Sequence, residues 1–398
     1  MKRIAFLSFG FRRRNLRKQP WNYIYKVCNG LINFGNTVYV ISDGNKKSLP
    51  KQKIGNLFIH NVGKITPWNY KKIVKILNNE KTDLVIWSFA PKSIFFYLLL
   101  KSLGRPIILF ISIPLYNLLE ILTAQKVLGG YNLGLYYKNT LVPKFFIRYV
   151  INSKFVRGII TLTENNKNRL VEIGCNKKKV WLIPHGKNRK SNKNFVFNKF
   201  DWNFFKTQKK QRVLETTRSF LYMGGPEKIR GLSWLIKASA NALLKNPNLH
   251  FTILLRTDNE FLASLIKSEC ERYKLVKNVT IINGILPPQK VLDKIIECDF
   301  LVLPFILVPS EVPISILEAM NAGKPIIGTS VDGIPELIKK RGIIVKPGDS
   351  DALKKAILKL AFNDRYRNNL GERCKEYMKR YPLWEDSFMK LEKQLEDI

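Results

Sequence analysis

Short apolar runs alternate with stretches of helical spacing along most of the chain. Residues 4–9 (IAFLSF) form a compact apolar run ending at Gly10, the pattern of a strand buried on both faces. Residues 23–34 follow as a helix, with Ile24, Val27, Leu31 and Phe34 at helical spacing and Gly35-Asn36 as its stop. Further strands are predicted at 37–42, 84–88, 107–111, 158–163 and 180–184. A polar, basic stretch without periodicity then separates Pro184 from Arg212. Beyond it the alternation restarts, with strands at 220–223, 251–255, 279–282, 300–304 and 325–328 and helices at 232–244, 261–273, 291–297 and 314–321. From about Arg365 the chain reads as charged helix, interrupted at 381–385 and then resumed. Strands separated by helices predict an α/β fold of two doubly wound, Rossmann-like domains. The expected division is 1–195, a linker at 196–212, and 213–380.

Composition narrows this picture. A length of 398 residues suits about two domains, and an apolar share of 45% lets both bury a core. Lys and Arg outnumber Asp and Glu by 68 to 30, a net charge of +38. Such a surface attracts anions, whether nucleic acid, acidic lipid or phosphorylated substrate. A chain-wide abundance of Lys and Asn is an equally simple source for part of it. The five cysteines are widely spaced with no C-x-x-C pair, which indicates neither a disulfide framework nor a zinc site and fits a reducing cytosol. His60, His185 and His250 are far apart in sequence, which argues against a His-based metal centre. The opening MKRIAFLSFGFRRR lacks the cleavage pattern of a signal peptide. The longest charge-free apolar stretch, 106–119, is well short of the roughly 20 residues that a spanning helix needs.

The candidate chemistry lies between Ser310 and Glu336. The strand at 300–304 ends in a loop, and Pro313 stands near the start of the next helix. A helix N-terminus offers unpaired amides and a partial positive charge, suited to phosphate. Glu318, about one turn into that helix, would accept two hydrogen bonds from a ribose diol. Taken alone it is equally an ordinary acidic residue favoured by the helix dipole. Asp349-Ser350-Asp351 opens a helix after Pro347-Gly348 and reads as a cap rather than a metal-binding pair.

The wider segment, PSEVPISILEAMNAGKPIIGTSVDGIPELI, resembles the donor-binding signature of the GT-B glycosyltransferases of family 4, a large retaining group. Glu318-Ala319-Met320, Gly323-Lys324-Pro325-Ile326 and Gly333-Ile334-Pro335-Glu336 match that pattern in order and spacing. The resemblance implies that Glu318 holds the donor ribose and that the backbone at Val312, Pro313, Ile314 and Ser315 meets the diphosphate and sugar. It also implies one departure. Ser310 stands where the family has its first Glu, and Glu311 is expected to serve in its place on the sugar hydroxyls. The stretch FLYMGGPEKIRG resembles the opening of the family's donor domain, with Gly225 where an Arg is usual and Arg230 in place of the Lys. Arg230 would then clamp the diphosphate, with Lys228 or Arg256 as compensating cations. Gly10, after the first strand, would let the chain pass close to the donor phosphate. Ser112 stands where the family often has a His, and His185 where it has an Asn, the latter read as structural. Residues 381–385 resemble the terminal segment that crosses back, so 381–398 is expected on the first domain. The implied reaction is transfer with retention from a UDP- or GDP-sugar, without a cofactor or metal.

The N-terminal half interleaves aromatic and basic residues. Arg12, Arg13, Arg14, Arg17 and Lys18 lie next to Trp21, and Tyr136, Tyr137, Phe145, Phe146 and Tyr149 mix with Lys138, Lys144, Arg148 and Lys154. The expectation is a cytoplasmic protein, peripheral on an anionic membrane, with a glycan precursor or lipid-linked acceptor. A solvated charged face is the plainer reading. The other readings are a nucleic-acid-binding protein, for which no recognition motif is found, another GT-B enzyme such as a phosphorylase or epimerase, and a degenerate, non-catalytic relative. Nothing indicates an oligomeric state.

Overall fold

The computed structural model describes residues 1–16, 18–44, 50–66, 69–88, 95–188 and 217–398. The linker expected at 196–212, and Arg17 of the basic cluster, lie outside the described residues. The first half runs β1 (Arg3–Ser8), α1 (Trp21–Asn33), β2 (Thr37–Ser42), β3 (Lys51–Ile54), β4 (Leu57–Asn61), α2 (Tyr70–Asn79), β5 (Leu84–Ser88), α3 (Phe95–Ser102) and β6 (Ile107–Phe110). It continues with α4 (Leu118–Leu128), α5 (Gly134–Thr140), α6 (Lys144–Asn152), β7 (Val156–Thr161), α7 (Glu164–Ile173) and β8 (Val180–Leu182). Among the described residues these strands form one eight-stranded sheet in the order β3-β4-β2-β1-β5-β6-β7-β8. Every neighbour pair is parallel except the β3–β4 hairpin. That hairpin was not read from the sequence. Its outer strand, KQKI, is a charged edge with almost no apolar signal.

The second half runs β9 (Arg218–Gly224), α8 (Leu232–Leu243), β10 (Leu249–Leu255), α9 (Glu260–Arg272), β11 (Val279–Asn283), α10 (Pro288–Glu297), β12 (Phe300–Leu303), α11 (Ile314–Asn321), β13 (Ile326–Thr329), α12 (Ile334–Ile338) and β14 (Gly342–Val345). Helices α13 (Ser350–Phe362), α14 (Asp364–Arg380) and α15 (Trp384–Glu396) close the chain. The sheet is parallel in the order β11-β10-β9-β12-β13-β14. Phe220 stacks between Phe251 and Phe300, at 4.8 and 5.5 Å between centroids, and so ties the three central strands. The fold is therefore two Rossmann-like domains, the second a parallel sheet and the first parallel but for its edge strand β3, each flanked by helices.

Helix α15 leaves the second domain and packs on α1 of the first. The Phe388 ring lies against Gly30, where a Cβ would collide with it. Lys2 Nζ donates to the Leu395 carbonyl at 2.6 Å, and Asn36 Nδ2 to Glu392 at 2.9 Å. At the crossing, Lys187 N donates to Pro382 O at 2.9 Å and Trp384 N to Lys187 O at 3.1 Å. His185 is buried between Tyr23 and Trp384, at 5.0 and 5.6 Å between ring centroids. Burial pushes its imidazole down to about 3, so it is neutral and structural.

Candidate functional site

In a parallel sheet of this kind, ligands meet the carboxyl ends of the strands where the order reverses. In the second domain that edge collects the residues singled out from sequence. Gly225 to Arg230 follow β9, Arg256 follows β10, and residues 304–318 follow β12, and these strands are neighbours in the sheet.

Glu318 lies within α11, and its Oε2 is buried without a hydrogen-bond partner. Burial raises its carboxyl above the usual range, and the nearby Arg256 guanidinium opposes that rise. A desolvated carboxylate oxygen with no partner carries a large penalty unless a ligand supplies one. The start of α11 has no side-chain cap, so the amides around Val312, Ile314 and Ser315 are not taken by a capping side chain.

The loop after β9 is built by close approach. Gly231 has φ +74°, and a Cβ there would collide with the Pro304 carbonyl. This contact draws the loop onto the end of β12, and α8 starts from Gly231. Arg230 donates through Nε to Glu227 at 2.7 Å and lies 5.9 Å from the Phe305 ring centroid. Gly225 carries no cation, and its carbonyl accepts from Tyr222 Oη at 2.7 Å. Lys228 is exposed.

The first domain reaches this edge through α4 and α5. Ile121, Ala124, Leu128 and Leu133 pack with Ile229, Ile306 and Leu307 in one apolar cluster. Tyr136 lies close enough to Arg230 and Glu227 to feel both charges, and its hydroxyl is pushed up to about 12, chiefly by burial. Tyr116 Oη accepts from Val308 N at 2.8 Å.

Two residues with an expected role at the donor, Glu311 and Gly10, sit differently from expectation. Glu311 does not face an open sugar site. It is fully buried, and its carboxylate accepts from Thr161 Oγ1 at 2.5 Å, Leu162 N at 2.9 Å and Thr163 Oγ1 at 3.1 Å, all in the first domain. Ser310 beside it is nearly buried, and Glu311 N donates to Ser112 O at 3.0 Å. Gly10 takes φ +66°, but its amide is committed to Asp43 and its carbonyl accepts from Asn15 Nδ2 at 2.7 Å. Glu336 of the Gly-x-Pro-Glu turn faces α7, accepting from Glu164 N at 3.2 Å and Asn165 N at 3.1 Å. As expected, Asp349 caps α13, accepting from Ala352 N at 2.8 Å.

Asp332 was missed from sequence. It adopts φ +46°, unusual for a residue with a side chain. Its Oδ1 accepts from Asn165 Nδ2 at 2.8 Å, while Oδ2 is buried without a partner. Burial raises its carboxyl to about 6. The only sequence signal was an acidic residue directly before Gly333 in an otherwise apolar turn.

Comparison with known proteins gives two family matches, one in each half. Residues 21–189 match the model "Glycosyltransferase Family 4" and residues 217–363 match "Glycosyl transferases group 1". The chain is 24% identical over 383 residues to an uncharacterised glycosyltransferase of Methanocaldococcus jannaschii, covering 88% of each. Among solved structures it is similar to sucrose-phosphate synthase from Thermosynechococcus elongatus, with TM-score 0.73 and 16% identity over 100% of this chain and 99% of that one. It is also similar to HepE from Anabaena, solved in complex with UDP, with TM-score 0.71 and 12% identity over the full length of both. At these identities the structural likenesses speak for the fold alone. Among the described residues no helix is long and apolar enough to cross a membrane. The first half thus matches a glycosyltransferase model over 21–189 and the second over 217–363, and the chain as a whole has the GT-B fold.

Proposed function

We propose that the chain transfers a sugar from a nucleotide-diphosphate sugar to an acceptor hydroxyl, with retention of configuration. The observation that carries this reading is the buried, unpartnered Oε2 of Glu318 at the carboxyl edge of the second sheet. A ribose diol would supply the hydrogen bonds it lacks. Arg230 and the uncapped start of α11 suit the diphosphate, neutralising the charge that grows on it as the sugar–phosphate bond breaks. The acceptor hydroxyl would attack on the face from which the diphosphate departs, its oxygen bonding the sugar as the sugar–phosphate bond breaks and its proton passing to the departing diphosphate. The uridine diphosphate bound by the similar Anabaena protein makes UDP-sugars the first donors to try, with GDP-sugars next.

The acceptor proposed is a lipid-linked or other glycan precursor at the cytoplasmic face of an anionic membrane. Leu141 and Phe145 are 69% and 75% exposed, in the same stretch of sequence as Lys138, Lys144 and Arg148. Apolar anchors among cations suit an interfacial contact. Two measurements test the reading. Calorimetry with UDP, GDP and ADP should show one tight nucleotide, and its loss on Glu318→Ala. Co-sedimentation should favour vesicles containing anionic lipid; equal binding to neutral vesicles would remove the membrane part.

A further inference from the structure

Three carboxylates of the second domain converge on one short segment of the first. That segment, residues 161–166, ends β7 and opens α7. Glu311 takes Thr161 Oγ1, Leu162 N and Thr163 Oγ1. Glu336 takes the amides of Glu164 and Asn165, the first two residues of α7. Asp332 takes the Asn165 side chain. Helix N-termini leave amides without intrahelical partners and carry partial positive charge, so carboxylates are the natural groups to satisfy them. Here the carboxylates arrive from another domain. Gly333 allows the approach, since a Cβ at that position would stand 3.1 Å from Thr163 Cγ2.

The receiving surface is held firmly. Asn166 accepts from Leu115 N at 3.1 Å and donates to Ile113 O at 3.0 Å. Arg169 holds Glu120 through two bonds of 2.8 and 2.6 Å and also donates to Leu115 O at 2.7 Å. Glu311 itself is doubly anchored, because its amide bonds the Ser112 carbonyl while its side chain bonds β7. The residue expected on the sugar hydroxyls therefore spends every hydrogen-bonding group shown for it on the first domain.

We propose that Glu311 and Glu336 are positioning residues that dock the second domain on the start of α7 and thereby set the gap in which donor and acceptor meet. The last clause rests on the transfer reaction proposed above; the docking itself does not. Glu311 acts at the buried centre of the contact and Glu336 at its exposed rim.

All five cysteines are buried, so introduced ones can be labelled selectively. Exposed positions flank the contact: Glu172 on α7 and Lys339 just after α12. With Glu172→Cys and Lys339→Cys carrying spin labels, double electron–electron resonance reads the distance across the dock without any ligand. The expected result is a narrow distribution in the parent protein and a longer, broader one after Glu311→Ala with Glu336→Ala. Glu311→Gln, which keeps an acceptor oxygen, should stay close to the parent. Glu336→Ala alone, at the rim, provides a variant that folds even if the buried change does not. It should broaden the distribution partway. A distribution unchanged in the double variant, or equally broad in the parent, overturns the docking role. The second arm uses UDP and a UDP-sugar. Affinity for UDP should change less than about threefold, whereas turnover falls about tenfold or more, the size expected for losing a buried hydrogen-bonded contact. Turnover unchanged in an opened double variant overturns the positioning role. Parent protein that binds no nucleotide refutes the transfer reading, and the distance result still decides the docking.

Discussion

Glu318 offers the most direct test, because function and stability should respond in opposite directions. Glu318→Met keeps the length and volume of the side chain and removes only the carboxylate. In the free protein that carboxylate has one buried oxygen without a partner, and its pKa is raised by burial. Releasing an unsatisfied buried acceptor should stabilise the fold by about 1–3 kcal/mol. For a domain of this size that is about 2–4 °C in Tm per kcal/mol. The sign with pH follows from linkage. A carboxyl whose folded pKa is raised contributes its stability at low pH and loses it as pH rises through the folded value. The gain on Glu318→Met should therefore be larger at pH 8 than at pH 5. Nucleotide binding should fall by about 3 kcal/mol or more, over about 100-fold in Kd, for two lost charge-assisted hydrogen bonds. Scanning calorimetry at the two pH values, with UDP titrations on the same samples, measures both effects. A variant less stable than the parent that still binds UDP equally well would refute the assignment of Glu318 to the donor.

Three further outcomes are expected. Arg230→Met should weaken UDP by about 10-fold or more while leaving uridine almost unaffected, with little change in stability because the Arg230–Glu227 pair is partly exposed and screened by solvent; nucleotide titrations check it. Gly231→Ala should destabilise the second domain by about 2–5 kcal/mol, combining a left-handed backbone with a collision against Pro304 O, read as a drop in Tm. The label-to-label distance should lengthen as pH rises. Glu311, facing Thr161, Leu162 N and Thr163 with Asp332 and Tyr23 nearby, is raised to about 8. Asp332, facing Asn165, Arg169, Glu120 and Tyr116, is raised to about 6. Both take up protons on docking, so closure is favoured at low pH and weakens from about pH 4 to 8; a distance constant over that range would contradict it.

The alternation of buried strands and amphipathic helices was legible because parallel strands covered on both faces read as unbroken apolar runs. Strands β1, β2, β5, β6, β9, β10 and β12 all stood out this way. The charged β3 and the short edge strand β14 did not, since an edge needs little apolar signal. Glu318 and Arg230 were legible as members of a spaced motif. The placement of Glu311 was not, because spacing says which residues are near a loop and not which domain a side chain turns toward. Asp332 was hidden for a related reason. Its left-handed backbone and its buried, unpartnered oxygen are features of the folded chain that residue spacing does not encode.

The return of α15 to α1 carries a consequence for how the molecule is made. Strands β1 to β8 are synthesised first, yet the groove around Gly30 and Asn36 is filled by residues 384–396. At ribosomal speeds of about 5–20 residues per second, the roughly 200 residues between β8 and α15 take about 10–40 s to emerge. The second domain, contiguous in sequence, can mature during that interval while the first waits with an apolar flank uncovered. The first half to be translated is thus the last to be finished, and a nascent chain stalled before Trp384 should draw chaperones to α1.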